Sequence, residues 1–93
     1  MPFVLVDRVR IENLDKAREA LHAELIPMTR QAPGFVRGTW SADRDAGVGI
    51  GVVVFETREQ AEAVQAMAQS GDSQLPEGVT IEDSAIYEVQ GEA

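Results

Sequence analysis

The chain has 93 residues, 44% hydrophobic and 26% charged, and its sixteen acidic against eight basic residues leave a formal charge of −8. A chain this short buries roughly 60 to 70 % of its unfolded surface and supports one core, so residues 1–93 read as a single domain that would gain from pairing with a second copy. Such acidity repels phosphate backbones and anionic membrane surfaces and argues against nucleic acid as a partner. The absence of cysteine excludes disulfides, thiolate metal sites, iron–sulfur clusters and cysteine nucleophiles.

Met1 to Ile11 carries Asp7, Arg8 and Arg10 within a short apolar run. That fits neither a signal peptide nor a membrane span, and the expected location is the cytoplasm. From Phe3 to Ile11 the residues alternate as in a strand, with Phe3, Leu5, Val9 and Ile11 sharing one face with Asp7, and Val4, Val6, Arg8 and Arg10 sharing the other. Asn13 is suited to cap a first helix whose inward stripe is Leu14, Ala17, Leu21, Leu25 and Met28. Pro27 removes a backbone donor inside that helix and clashes with the carbonyl four residues back, so a kink is expected before the helix stops near Ala32.

Phe35 to Ala42 reads as a second strand, joined by the polar loop Asp43–Gly47 to a third. The third strand, Gly49 to Phe55, is apolar on both sides, with Ile50, Val52 and Val54 on one and Val53 and Phe55 on the other. It therefore needs cover on both faces. The glycines at 47, 49 and 51 open a strand, whereas a phosphate-cradling loop opens a helix. Thr57 to Gln60 fits a capping box for a second helix with Ala61, Val64 and Ala68 inward, Ala63 and Met67 alongside, and Gly71 as its stop. After a loop from Asp72 to Gly78, Val79 to Val89 forms the last strand, with Val79, Ile81, Ala85, Tyr87 and Val89 in one phase and a bulge expected near Asp83-Ser84.

The order β-α-β-β-α-β predicts an α+β fold of the ferredoxin-like kind, a four-stranded antiparallel sheet with two helices on one face. The other face would expose Ile50, Val52 and Val54, and pairing of two such sheets into a dimeric α+β barrel is the expected cover.

Leu25-Ile26-Pro27, Ala32-Pro33-Gly34-Phe35-Val36, Val52-Val53-Val54-Phe55 followed by Thr57 and Glu59-Gln60-Ala61, and Ile86-Tyr87-Glu88-Val89 occur in this order. Together they span almost the whole chain, which resembles the antibiotic biosynthesis monooxygenase-like family of dimeric α+β barrels. The resemblance implies a homodimer with a pocket between helices and sheet, used in some members for cofactor-independent oxidation of a small aromatic or quinol-type compound by dioxygen. The alternative is a non-catalytic ligand-binding or structural module of the same fold. The haem-degrading branch of the family places an Asn near the end of the first strand, a Trp at the end of the third and a His after the second helix. Here Asp7 and Phe55 stand at the first two positions and no histidine follows residue 60, which argues against haem degradation.

The candidate catalytic residues are Asp7 and His22. Asp7 shares a face with apolar residues, where burial would raise its pKa, and it serves either a pocket or an arginine at the sheet end. His22, the one histidine, borders the buried stripe and is either a base toward the pocket or a partly exposed helix residue. Trp40, Phe55, Met67 and Tyr87 are the candidate pocket lining, with core or interface packing as the other role for the aromatic residues. Arg37 is expected in an outward or interface ion pair. No metal is expected, because a lone His without carboxylates at ligand spacing builds no first coordination shell, and no cofactor is expected either.

Overall fold

The computed structural model describes residues 1–69 and 75–93; the helix stop expected at Gly71 and the start of the loop expected from Asp72 lie outside them. The chain forms β1 (Phe3–Ile11), α1 (Leu14–Ala20), a π-helical turn (Leu21–Leu25), α2 (Ile26–Arg30), β2 (Phe35–Asp43), β3 (Val48–Phe55), α3 (Arg58–Gln69) and β4 (Val79–Glu88). This is an α+β fold. Its four strands make one sheet in the order β2-β3-β1-β4, and every neighbouring pair is antiparallel. It follows that β1 and β2 run parallel with β3 inserted between them, and that β3 and β4 run parallel with β1 inserted.

The helical segment 14–30 starts where Asn13 accepts the Lys16 amide on its side-chain oxygen at 3.1 Å. The distortion expected from Pro27 takes the form of a widened turn, with the Ile26 amide donating to the Leu21 carbonyl five residues back. A π turn just before a proline relieves the clash between its ring and the preceding carbonyl. α3 begins with the expected capping box, the Gln60 amide donating to Thr57 Oγ1 at 3.2 Å and the Thr57 amide to Gln60 Oε1 at 3.0 Å. Gly34, at φ +78°, accepts the Glu56 amide at 2.9 Å, and a Cβ there would overlap the Gln60 side chain. The entry to β2, the exit of β3 and the cap of α3 are thus locked together at one glycine.

Both helical regions cover the sheet face that carries Leu5, Val53 and Phe55. These three join Ala61 of α3 in the buried core, with Ala32, Phe35, Trp40, Val64 and Ile86 packed around them. Phe55 is wholly buried, and a side chain of that size contributes about 2–3 kcal/mol on leaving water.

Two bulges decide which side chains join that face. In β2 the pairing runs Phe35↔Phe55 and then Arg37↔Val54, so Val36 is the extra residue; Phe35 joins the core while Arg37 and Thr39 share the opposite face. Simple alternation along β2 groups Phe35 with Arg37 and Thr39, and this bulge separates Phe35 from them. In β4 the pairing runs Arg8↔Asp83 and then Val9↔Ile81, so the extra residue is Glu82, one position before the expected Asp83-Ser84. The single phase expected for Val79, Ile81, Ala85 and Tyr87 is therefore broken. Val79 and Ile81 share the helix-covered face with Ser84 and Ile86, while Ala85 and Tyr87 pass to the other. Glu82 pairs with Arg10 at 2.9 Å.

The face without helices carries Val4, Ile50, Val52, Val54 and Tyr87. Ile50 and Tyr87 are 43% and 57% exposed, whereas Val54 is buried. The C-terminal residues lie beside Val54: the Val89 amide donates to the Pro2 carbonyl at 2.9 Å, and Glu92 forms an ion pair with Arg37. Among the described residues no helix is long and apolar enough to cross a membrane.

Candidate functional site

A row of residues crosses the helix-covered face at right angles to the strands. Trp40 of β2 stands opposite Gly51 of β3, Gly51 opposite Asp7 of β1, and Asp7 opposite Ser84 of β4. Strand alternation places all four on one side. The indole lies over Gly51: a Cβ there would stand 3.1 Å from Trp40 Cδ1 and 3.2 Å from Nε1. A residue without a side chain is thus what separates the indole N–H from the Asp7 carboxyl. The far end of the row is tied to α3, where Gln65 Nε2 donates to Ser84 Oγ at 3.0 Å.

Among the described residues no arginine forms an ion pair with Asp7. Its Oδ1 is buried and has no hydrogen-bond partner among the described residues. Burial raises the Asp7 pKa above its ordinary value, and a hydrogen bond from Ser84 pulls it part of the way back. Such a carboxyl is a stronger base than one in water and has an oxygen free for a proton donor.

The bulged stretch of β4 and the end of α3 frame an open groove of about 570 Å³, with Ala68, Val79, Ile81 and Ser84 in its wall. The groove meets the row at Ser84. Two other concavities, of about 240 Å³ beside the β2–β3 turn and about 440 Å³ on the helix-free face, do not touch the row.

The remaining sequence candidates disperse. His22 is exposed on the π turn. Phe55 sits in the core, where it fills space instead of lining a cavity, and Met67 is 57% exposed. Tyr87 lies on the helix-free face, in the wall of the 440 Å³ concavity. Trp40 alone of the aromatic candidates joins Asp7. Arg37 makes the outward ion pair expected of it. Among the described residues no three His, Asp or Glu side chains group as metal ligands would.

Ser84, Gln65 and Gly51 were not singled out in the sequence as site residues. Gln65 carried a signal, since it lies one residue after Val64 and four after Ala61 on the inward side of an amphipathic helix, where a polar side chain needs a partner. Ser84 carried none, because only the extra residue ahead of it in β4 puts it beside Asp7.

No family model matches this chain, and no curated protein matches it. What fold and site define is a small α+β protein with a half-buried carboxyl in one lateral row with an indole and a serine.

Proposed function

We propose that the protein binds a small aromatic or quinol-type compound and oxidises it with dioxygen, using Asp7 as the base and no bound cofactor. The observation that carries this reading is Asp7 Oδ1, buried and without a hydrogen-bond partner among the described residues, in a row with Trp40. A buried acceptor without a donor costs about 1–3 kcal/mol, and a cost of that kind is retained where a ligand makes use of the group. An ionised Asp7 takes a proton from the activated carbon or hydroxyl of the substrate, and the flat indole offers a stacking surface for its ring. The electron-rich anion then reacts with dioxygen. For an anthrone-type methylene the balance is CH2 plus O2 giving C=O plus water, so the substrate supplies both electrons and no external reductant is consumed.

The resemblance to the antibiotic biosynthesis monooxygenase-like family points the same way. The fold we assign is ferredoxin-like, supported by the order β2-β3-β1-β4, in which each strand-helix-strand unit is split by a strand of the other. The assembly we assign is a homodimeric barrel in the cytoplasm, supported by the apolar helix-free face with Ile50 and Tyr87 exposed. A ligand-binding module without turnover is the second reading, favoured by the exposure of His22, which leaves Asp7 as the only ionisable group in the row.

Oxygen uptake over a panel of anthrones and hydroquinones, with no flavin or metal added, tests the proposal. Turnover above the uncatalysed rate, lost in Asp7→Asn, is expected. Turnover unchanged in Asp7→Asn would remove Asp7 from the chemistry. Binding without turnover across the panel would select the second reading.

A further inference from the structure

We infer that Ser84 and Gln65 form a relay that positions Asp7, with α3 dictating the direction of the Ser84 hydroxyl hydrogen and so leaving Asp7 Oδ1 as the oxygen presented to a ligand. The inference rests on the reading of Asp7 as the base and adds two positioning residues to it. The Gln65 Nε2 group can only donate, so at 3.0 Å it occupies an acceptor position of Ser84 Oγ. The hydroxyl hydrogen is then directed away from Gln65, and the acceptor facing Ser84 across the β1–β4 ladder is the Asp7 carboxyl. Ser84 stands opposite Asp7 in that ladder, and Oδ1 of the carboxyl has no hydrogen-bond partner among the described residues.

Two features of the fold hold the relay in place. The extra residue Glu82 brings Ser84 onto the face of Asp7; without it the strand would present Asp83 or Ala85 there. Gln65 sits within one helical turn of Ala61, the wholly buried residue that anchors α3 to the sheet. Among the described residues no other ionisable group shares the row. The charged side chains on the surrounding elements are exposed: Arg8 on β1, Arg18, His22 and Glu24 on the helical segment, Glu62 on α3, and Glu82 and Asp83 on β4. Neutral dipoles and burial therefore set the acidity of Asp7, which makes it responsive to the orientation of one hydroxyl.

The orientation gives the test a sign. If Gln65 donates to Ser84, its removal loosens the Ser84–Asp7 hydrogen bond and disfavours the ionised carboxylate. If the amide were turned the other way, Gln65 would hold the Ser84 hydrogen itself, and its removal would release that hydrogen to Asp7 and favour ionisation. Carbon-13 NMR of the aspartate carboxyls, following Asp7 through a pH titration in the ligand-free protein, reads this directly. Ser84→Ala is expected to move the Asp7 midpoint upward, Gln65→Leu upward by less, and Gln65→Glu upward, because a carboxylate there draws the Ser84 hydrogen away. A downward or null shift in Gln65→Leu overturns the relay. Circular dichroism checks that each variant is folded, and Gln65→Met stands in if Gln65→Leu fails to fold. The titration requires no turnover, so a failure of the relay is separable from a failure of Asp7 as a base, which oxygen uptake reports.

Discussion

Replacing Asp7 with leucine should stabilise the protein at neutral pH while abolishing the proposed activity. The substitution removes a carboxyl whose Oδ1 is buried without a donor and puts an apolar group beside Leu5, Val9 and Val53. Desolvation of an unsatisfied buried group costs about 1–3 kcal/mol, and the part of the carboxyl that stays solvated, with the lost Ser84 hydrogen bond, brings the expected net gain to about 1 kcal/mol. For a domain of this size that raises the melting temperature by about 4–8 °C. The gain has a defined pH dependence. Because burial raises the Asp7 pKa above the unfolded value of 3.8, the penalty is absent below that value and accumulates as pH rises through the folded pKa. Thermal unfolding followed by circular dichroism at a series of pH values should show variant and wild type converging in acid and separating toward neutrality. An Asp7→Leu protein that melts lower than wild type at pH 7, or a difference independent of pH, would refute the reasoning and make Asp7 a structural partner.

Gly51→Ala places a Cβ 3.1–3.2 Å from the Trp40 ring and forces the indole to give way, so turnover should fall, by up to about 100-fold if ring placement governs the reaction, with little change in melting temperature. Unchanged kinetics would show that the placement of the indole over Gly51 does not matter to turnover. Gly34→Ala combines a left-handed backbone with an overlap on Gln60 and should destabilise by about 2 kcal/mol or more in urea unfolding, since a non-glycine residue in such a conformation costs roughly 1–3 kcal/mol before any clash. Val52→Asp, on the helix-free face, should leave a folded chain that runs in light scattering at its own 10.1 kDa instead of twice that mass. Val53→Asp, in the core, should unfold it, because an unpaired buried charge costs about 3–5 kcal/mol. A wild-type monomer at low micromolar concentration would refute the proposed pairing of sheets.

Much of the fold was legible in the residues because its signals are local. The Asn13 cap, the Thr57–Gln60 box, the proline distortion and the two apolar faces of β3 each depend on side chains within a few positions of one another, where spacing fixes geometry. Asp7 was legible for the same reason, as a charge in phase with Leu5 and Val9. What only the tertiary structure decided was the company it keeps. An extra residue in β4 reverses the facing of every side chain beyond it, and alternation alone does not say whether the strand holds one. That single step puts Ser84 beside Asp7 and sends Tyr87 to the opposite face. The lateral row from Trp40 to Gln65 joins residues up to 77 positions apart through strand register. Register is set by the sum of ladder hydrogen bonds and core packing across the sheet, and no local pattern carries it.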